Sequence, residues 1–165
     1  MQGVVLTRID DRLIHGQVMT SWLNFTSANK IMVIDDQTAA DPFMKTVLKN
    51  AVPGNVGLGV FTAEKAAARL KKGFKPDDKV IILVKYPKTI LKLMKQGIEF
   101  DHLNIGGMGA GSGREKFYKN ISASEKEREI LKKIVDSGCR TEIQIIAEDA
   151  KVDVAKCYKR KVEKL

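Results

Sequence analysis

The stretch Lys79–Lys85, KVIILVK, decides the fold. Val80 to Val84 is apolar throughout, rich in β-branched residues and closed by lysines at both ends. It does not alternate with polar residues, so it reads as a strand covered on both faces, as in a parallel sheet lying between helices. It is also the longest strictly apolar run, far short of the roughly 20 residues needed to cross a bilayer.

Strand-like and helix-like segments alternate on either side of it. Strands are expected at 3–9, 30–36, 56–61, 102–107 and 141–147. Helices are expected at 17–25, 41–52, 63–73, 88–97, 121–138 and 149–164. Asp41 followed by Pro42 is a helix start, Gly73 and Gly97 are helix stops, and Ser124 with Glu127 forms a capping box. Val18, Trp22 and Phe25 fall at helical spacing, and Trp22, Met44 and Met94 are expected to pack. Parallel neighbours need crossovers. The fold class that follows is α/β: a three-layer, open, mostly parallel sheet with helices on both faces. At 165 residues without a linker or internal repeat, residues 1–165 are expected to form one domain.

Ligands of such sheets gather at the carboxyl ends of the strands. Four loops meet at that edge: 8–16, 35–40, 85–88 and 105–115. The first is the richest in chemistry. Arg8, Asp10, Asp11, Arg12 and His15 crowd into a single strand-to-helix turn, RIDDRLIHGQV (8–18). His15 stands where a helix begins, so the backbone N–H groups of Gly16 and Gln17 lack intrahelical partners and form an anion site. A neutral imidazole is a good nucleophile toward phosphorus, and Arg8 and Arg12 can neutralise phosphate oxygens. An aspartate can fix the histidine tautomer or orient an arginine, and Asp10 suits that role better than Asp11. These parts fit phosphoryl transfer through a phosphohistidine. They fit hydrolysis less well, because no second base or metal cluster is visible.

The other features carry less. GGMGAGSGRE (106–115) matches neither a P-loop nor a dinucleotide fingerprint, so no nucleotide cofactor is implied. It reads either as a flexible loop or as a backbone wall of the site with Arg114 as an added positive group. Asp35 and Asp36 lack further ligands at metal spacing and read as a charged strand end. His102 begins a strand at the opposite edge and reads as structural. Cys139 and Cys157 show no metal or redox spacing, and the N-terminus lacks signal-peptide features, so a reduced cytoplasmic setting is expected.

The formal net charge of +9 favours anionic partners. No zinc-finger spacing or RNP-like aromatic string is present, and aromatics make up 6% of residues, so nucleic acid is not an expected partner.

RIDDRLIHGQV (8–18) closely resembles the phosphorylation-site loop of one family. This is the IIB components of the mannose–fructose–sorbose branch of the bacterial phosphoenolpyruvate-dependent sugar phosphotransferase system. MVIDD (32–36), LNIGGM (103–108), GR (113–114) and ISAS (121–124) stand in the family's order, so the likeness covers essentially the whole chain. The resemblance implies a cytoplasmic phosphocarrier, peripherally associated with a membrane transporter. His15 would accept a phosphoryl group at Nδ1 from the phosphohistidine of a IIA protein or domain. It would pass the group to a sugar moving through the membrane partners IIC and IID, as a protein-Nπ-phosphohistidine–sugar phosphotransferase. Asp10 and Arg12 match residues flanking the active histidine, and Arg8 also matches the motif. No metal or other cofactor is implied, a homodimer is compatible with the family, and the sugar is not encoded. The segment 109–120 varies in the family, so Arg114 inherits no role. The alternative from another class is a non-catalytic regulatory module that binds phosphate at the same loop.

Overall fold

The computed structural model describes residues 1–162, the side chains of 17, 18 and 159–162 excepted. In chain order the elements are β1 (Val4–Asp10), α1 (Gly16–Thr26), β2 (Lys30–Ile34), α2 (Asp36–Ala40), α3 (Pro42–Ala51), β3 (Gly57–Phe61), α4 (Ala63–Lys71) and β4 (Val80–Val84). They continue with α5 (Pro87–Lys95), β5 (His102–Gly107), β6 (Glu115–Tyr118), β7 (Ile121–Ala123), α6 (Glu125–Asp136), β8 (Arg140–Ile143), β9 (Val152–Asp153) and α7 (Val154–Val162).

One sheet of seven strands runs in the order β3-β2-β4-β1-β5-β8-β9. Its first six strands are parallel, and β9 pairs antiparallel with β8. The stretch KVIILVK supplies β4, between β2 and β1, and all five of its strand residues are buried. Its alternate side chains enter two cores. Val80, Ile82 and Val84 meet residues of α4, α5 and α6, while Ile81 and Leu83 meet residues of α1 and α3. The three-layer α/β reading is thereby borne out.

Local chemistry sets the helix starts. Asp41 Oδ1 accepts from Phe43 N and Met44 N at 3.0 and 3.2 Å, with Pro42 opening α3. At α6 both bonds of the capping box form: Glu127 N donates to Ser124 Oγ, and Ser124 N donates to Glu127 Oε2. Such a cap contributes about 1 kcal/mol.

Four details differ from the sequence reading. Residues 121–123 form β7, paired with β6, and the helix starts only after Ser124. The strand expected at 141–147 ends at Ile143, because the Gln144 amide turns the chain by donating to the carbonyls of Ala147 and Asp149. The helix expected at 149–164 begins at Val154, since Val152 and Asp153 pair with Ile143 and Glu142; residues 163 and 164 lie outside the described residues. The loop 35–40 holds the short helix α2, capped by Asp35, which accepts from Thr38 N at 3.0 Å. Trp22 is buried and Met94 packs on the core, but Phe25 is 67% exposed and Met44 only partly covered.

The topology places the site. After β1 the chain crosses to β2 on one side; after β5 it proceeds to β8 on the other. The connections from these adjacent strands leave in opposite directions, and their carboxyl ends mark the switch point at which sheets of this kind bind ligands.

Candidate functional site

Asp10, the last residue of β1, is the centre of the site and is fully buried. Its Oδ2 accepts from Arg8 Nη2 at 3.1 Å and lies 3.1 Å from His15 Nε2. Its Oδ1 accepts from Arg12 N and Arg12 Nε, both at 3.1 Å. Burial alone would raise the pKa of this carboxyl. The hydrogen bonds from Arg12 and His15 and the charge of Arg8 outweigh it and hold the pKa below the ordinary value.

Arg8 lies beneath this carboxylate, 1% exposed, with its guanidinium 5.4 Å from the centroid of the Trp22 ring. Nη1 donates to Asn104 Oδ1 at 2.6 Å and to the Gln144 carbonyl at 2.9 Å. Nη2 donates to Asp10 and, at 2.9 Å, to the Ile145 carbonyl. Desolvation lowers the pKa of Arg8, and Asp10 opposes that shift. Expected as a phosphate ligand, Arg8 instead spends both terminal nitrogens inside the protein. Its effect on the site is to anchor and charge-balance Asp10.

Two glycines make room for this pair. β1 and β5 shift register between Ile9 and Asp10, so Asp10 faces Gly107 while Gly106 is stepped over. A Cβ at Gly106 would fall 1.7 Å from Arg8 Cζ, and one at Gly107 would fall 2.5 Å from Asp10 Oδ1. The strand must therefore be bare where the buried charges cross it.

Beyond Asp10 the chain makes a tight turn, with Leu13 N donating to the Asp10 carbonyl at 2.9 Å. Leu13 adopts a left-handed φ of 57°, at a cost of about 1 kcal/mol or more. The buried side chains of Leu13 and Ile14 offset this by joining the core beneath α1. They leave Arg12 and His15 facing outward, with side chains 52% and 24% exposed. His15 is the N-cap residue of α1 but makes no side-chain cap, so its ring is available. Gly16 opens the helix, and the first-turn N–H groups there, Gln17 included, have no intrahelical carbonyl to meet.

The turn thus brings together Asp10, Arg12, His15 and the helix start at Gly16 and Gln17. The Gln17 side chain lies outside the described residues. Arg114, an added positive group of the site in one of the two readings of its loop, is committed to Glu127 and Asp11. Asp35 caps α2, and Asp36 Oδ1 accepts from the N–H of Ala63, the first residue of α4, at 2.8 Å. Among the described residues no group of three or more His, Cys, Asp or Glu side chains is placed to hold a metal. Sequence reasoning missed Asn104 and the Gln144 and Ile145 carbonyls that hold Arg8. It also missed the packing role of Gly106 and Gly107, although a Gly-Gly pair ending a buried strand was a readable signal of close approach.

A family model described as the PTS system sorbose subfamily IIB component matches residues 4–165. The fructose-specific EIIB component of Bacillus subtilis (strain 168) is 30% identical over 153 residues, covering 93% of this chain and 94% of that protein. The mannose-specific EIIAB component of Escherichia coli (strain K12) is 33% identical over 147 residues, covering 89% of this chain and 46% of that longer protein. The crystal structure of the IIBSor domain of the sorbose permease from Klebsiella pneumoniae superposes with a TM-score of 0.90 at 31% identity, covering 97% of this chain and 98% of that one. The chain therefore belongs to the sorbose-subfamily IIB components of the sugar phosphotransferase system, a family of transferases in sugar uptake.

Proposed function

We propose that His15 is a transient phosphoryl carrier that reacts through Nδ1. The observation that carries this reading is the contact of His15 Nε2 with buried Asp10. A carboxylate held ionised there accepts a hydrogen bond from Nε2–H and keeps the proton on that nitrogen, which leaves the Nδ1 lone pair as the nucleophile. Nδ1 attacks the phosphorus of a phosphohistidine on the IIA partner. The new N–P bond forms as the donor's N–P bond breaks, and the donor imidazole leaves with that electron pair. His15 becomes a phosphorylated imidazolium whose positive charge faces Asp10. Arg12 and the N–H groups at Gly16 and Gln17 steady the phosphoryl oxygens.

Delivery reverses these roles. A sugar hydroxyl oxygen attacks the phosphorus, the Nδ1–P bond breaks, its electrons return to the ring, and the hydroxyl proton is released. The reading includes a cytoplasmic location against the membrane partners IIC and IID, and one domain for residues 1–165. No helix among the described residues is long and apolar enough to cross a membrane. The surplus of basic residues supports docking to a phosphate-bearing partner, an attraction that salt weakens. The relatives are named for sorbose, fructose and mannose, so the sugar is left to the membrane partners.

The test is incubation with phosphorylated IIA, followed by intact-mass measurement before and after acid. The wild type should gain an acid-labile phosphate, and His15→Ala should gain none. Phosphate protection of the loop without covalent label would favour a non-catalytic phosphate-binding module instead.

A further inference from the structure

The proposed chemistry assigns no task to Asp11 or Arg114, yet the two join the active turn to the glycine-rich loop. Asp11 stands between Asp10 and Arg12. Its N–H donates to the Gly107 carbonyl at 3.0 Å, and its Oδ2 accepts from Gly109 N at 2.8 Å. The same oxygen accepts from Arg114 Nη1 at 3.2 Å. Arg114 Nη1 also donates to the Gly109 carbonyl at 2.9 Å. Its Nε and Nη2 form a two-pronged pair with Glu127 at 3.0 and 2.7 Å. Glu127 is itself fixed by the capping box at the start of α6.

The chain of contacts is therefore α6, Glu127, Arg114, Asp11 and then the active turn. Arg114 and Glu127 are mostly buried, with side chains 12% and 16% exposed, and Asp11 is 25% exposed. Glu127 hydrogen bonding raises the pKa of Arg114. Glu127 titrates below its ordinary value because Arg114 and Ser124 outweigh its desolvation. A guanidinium suits this position because its rigid fork can grip one carboxylate with two nitrogens and reach another with the third.

We infer that Arg114 is a positioning residue for phosphoryl transfer: it latches Asp11, and so the turn carrying Arg12 and His15, to the helix start at Ser124–Glu127. The turn is then held from two sides. Arg8 and Asp10 secure it from inside the sheet; Arg114 secures it from the side of the glycine-rich loop. That loop has glycine at 109, 111 and 113 and has little stiffness of its own. Without the latch the Arg12 fork and the His15 ring lose a fixed relation to each other. Misplacement of about 1 Å at a reacting centre costs up to roughly a hundredfold in rate.

This inference rests on the phosphocarrier reading, and the experiment separates the two. Rapid-quench phosphorylation by phosphorylated IIA is followed as a function of donor concentration for the wild type, Arg114→Lys, Asp11→Asn and the double variant. Thermal melting is recorded in parallel. The latch predicts a maximal rate lowered about tenfold or more in each single variant. It predicts a half-saturating donor concentration within about twofold of wild type, and a double variant no slower than the worse single one, as for residues sharing one path. Lysine should not substitute, because a point charge cannot hold both carboxylates. A wild-type maximal rate in Asp11→Asn, additive losses in the double variant, or rates that merely follow melting temperature would overturn the latch. Failure of the wild type to accept phosphate would instead overturn the phosphocarrier reading.

Discussion

The molecule's two histidines occupy matched local settings at opposite ends of the sheet. His15 lies at the carboxyl end of β1, 3.1 Å from Asp10; His102 opens β5, with Nε2 2.6 Å from Glu142 on β8. Both rings meet a carboxylate through Nε2, and both are about one quarter exposed. Their surroundings differ. Asp10 is fully buried, and its second oxygen is held by Arg12, whereas Glu142 is a partly exposed surface group shared with Lys151 and Arg140. His15 precedes an eleven-residue helix, while His102 sits within a strand pair. A histidine–carboxylate pair is thus not by itself a site. The one proposed to carry phosphate has a carboxylate held by two arginines behind it and a helix start in front.

The sharpest way to break this comparison is to exchange each ring for asparagine. His15→Asn should lose all acid-labile phosphate, and His102→Asn should label at the wild-type rate; label retained by the former would end the distinction. Next in size is the carboxylate. Asp10→Asn should slow labelling by up to roughly 10⁴-fold, the loss found when an orienting aspartate is replaced by asparagine and tautomer control is lost. Glu142→Gln should leave labelling unchanged. A third probe is folding rather than chemistry. Gly106→Ala drives a methyl group into the Arg8 guanidinium and should cost about 3 kcal/mol or more in urea unfolding. Gly111→Ala, whose nearest neighbour would be Arg114 Cδ at 3.9 Å, should change stability by less than about 1 kcal/mol.

Acid provides the smallest and most graded test. Asp10 and Glu142 both titrate below the ordinary carboxylate value in the folded chain. For groups shifted that way, the stabilisation is complete above the unfolded value near 4 and is lost as pH falls through the lower folded value. Thermal melts should therefore fall in temperature below about pH 4. Asp10→Asn should flatten that fall more than Glu142→Gln, because Asp10 is the more deeply buried carboxylate.

Much of this was legible in the residues because local rules governed it. KVIILVK announced a strand covered on both faces, Asp41-Pro42 and Ser124 with Glu127 marked helix starts, and the RIDDRLIHGQV turn placed charge and imidazole at one edge. What was hidden depends on contacts between distant segments. Arg8 looks like a phosphate ligand until the sheet order brings Asn104, Gln144 and Ile145 around it. Arg114 looks free until α6 places Glu127 against it. The helix expected from 149 lost its first residues to strand pairing with β8, a partner sequence spacing does not reveal.

The buried Arg8–Asp10 pair also has a consequence for traffic between partners. Two guanidiniums facing one carboxylate leave the empty site with a surplus of one positive charge. Under the proposed chemistry a phosphoryl group brings roughly two negative charges while the ring becomes a positive imidazolium, so the surplus is cancelled. An unloaded molecule then attracts a phosphorylated donor, and a loaded one no longer does. The loading step itself would tell the carrier when to leave one partner for the next, without any moving part.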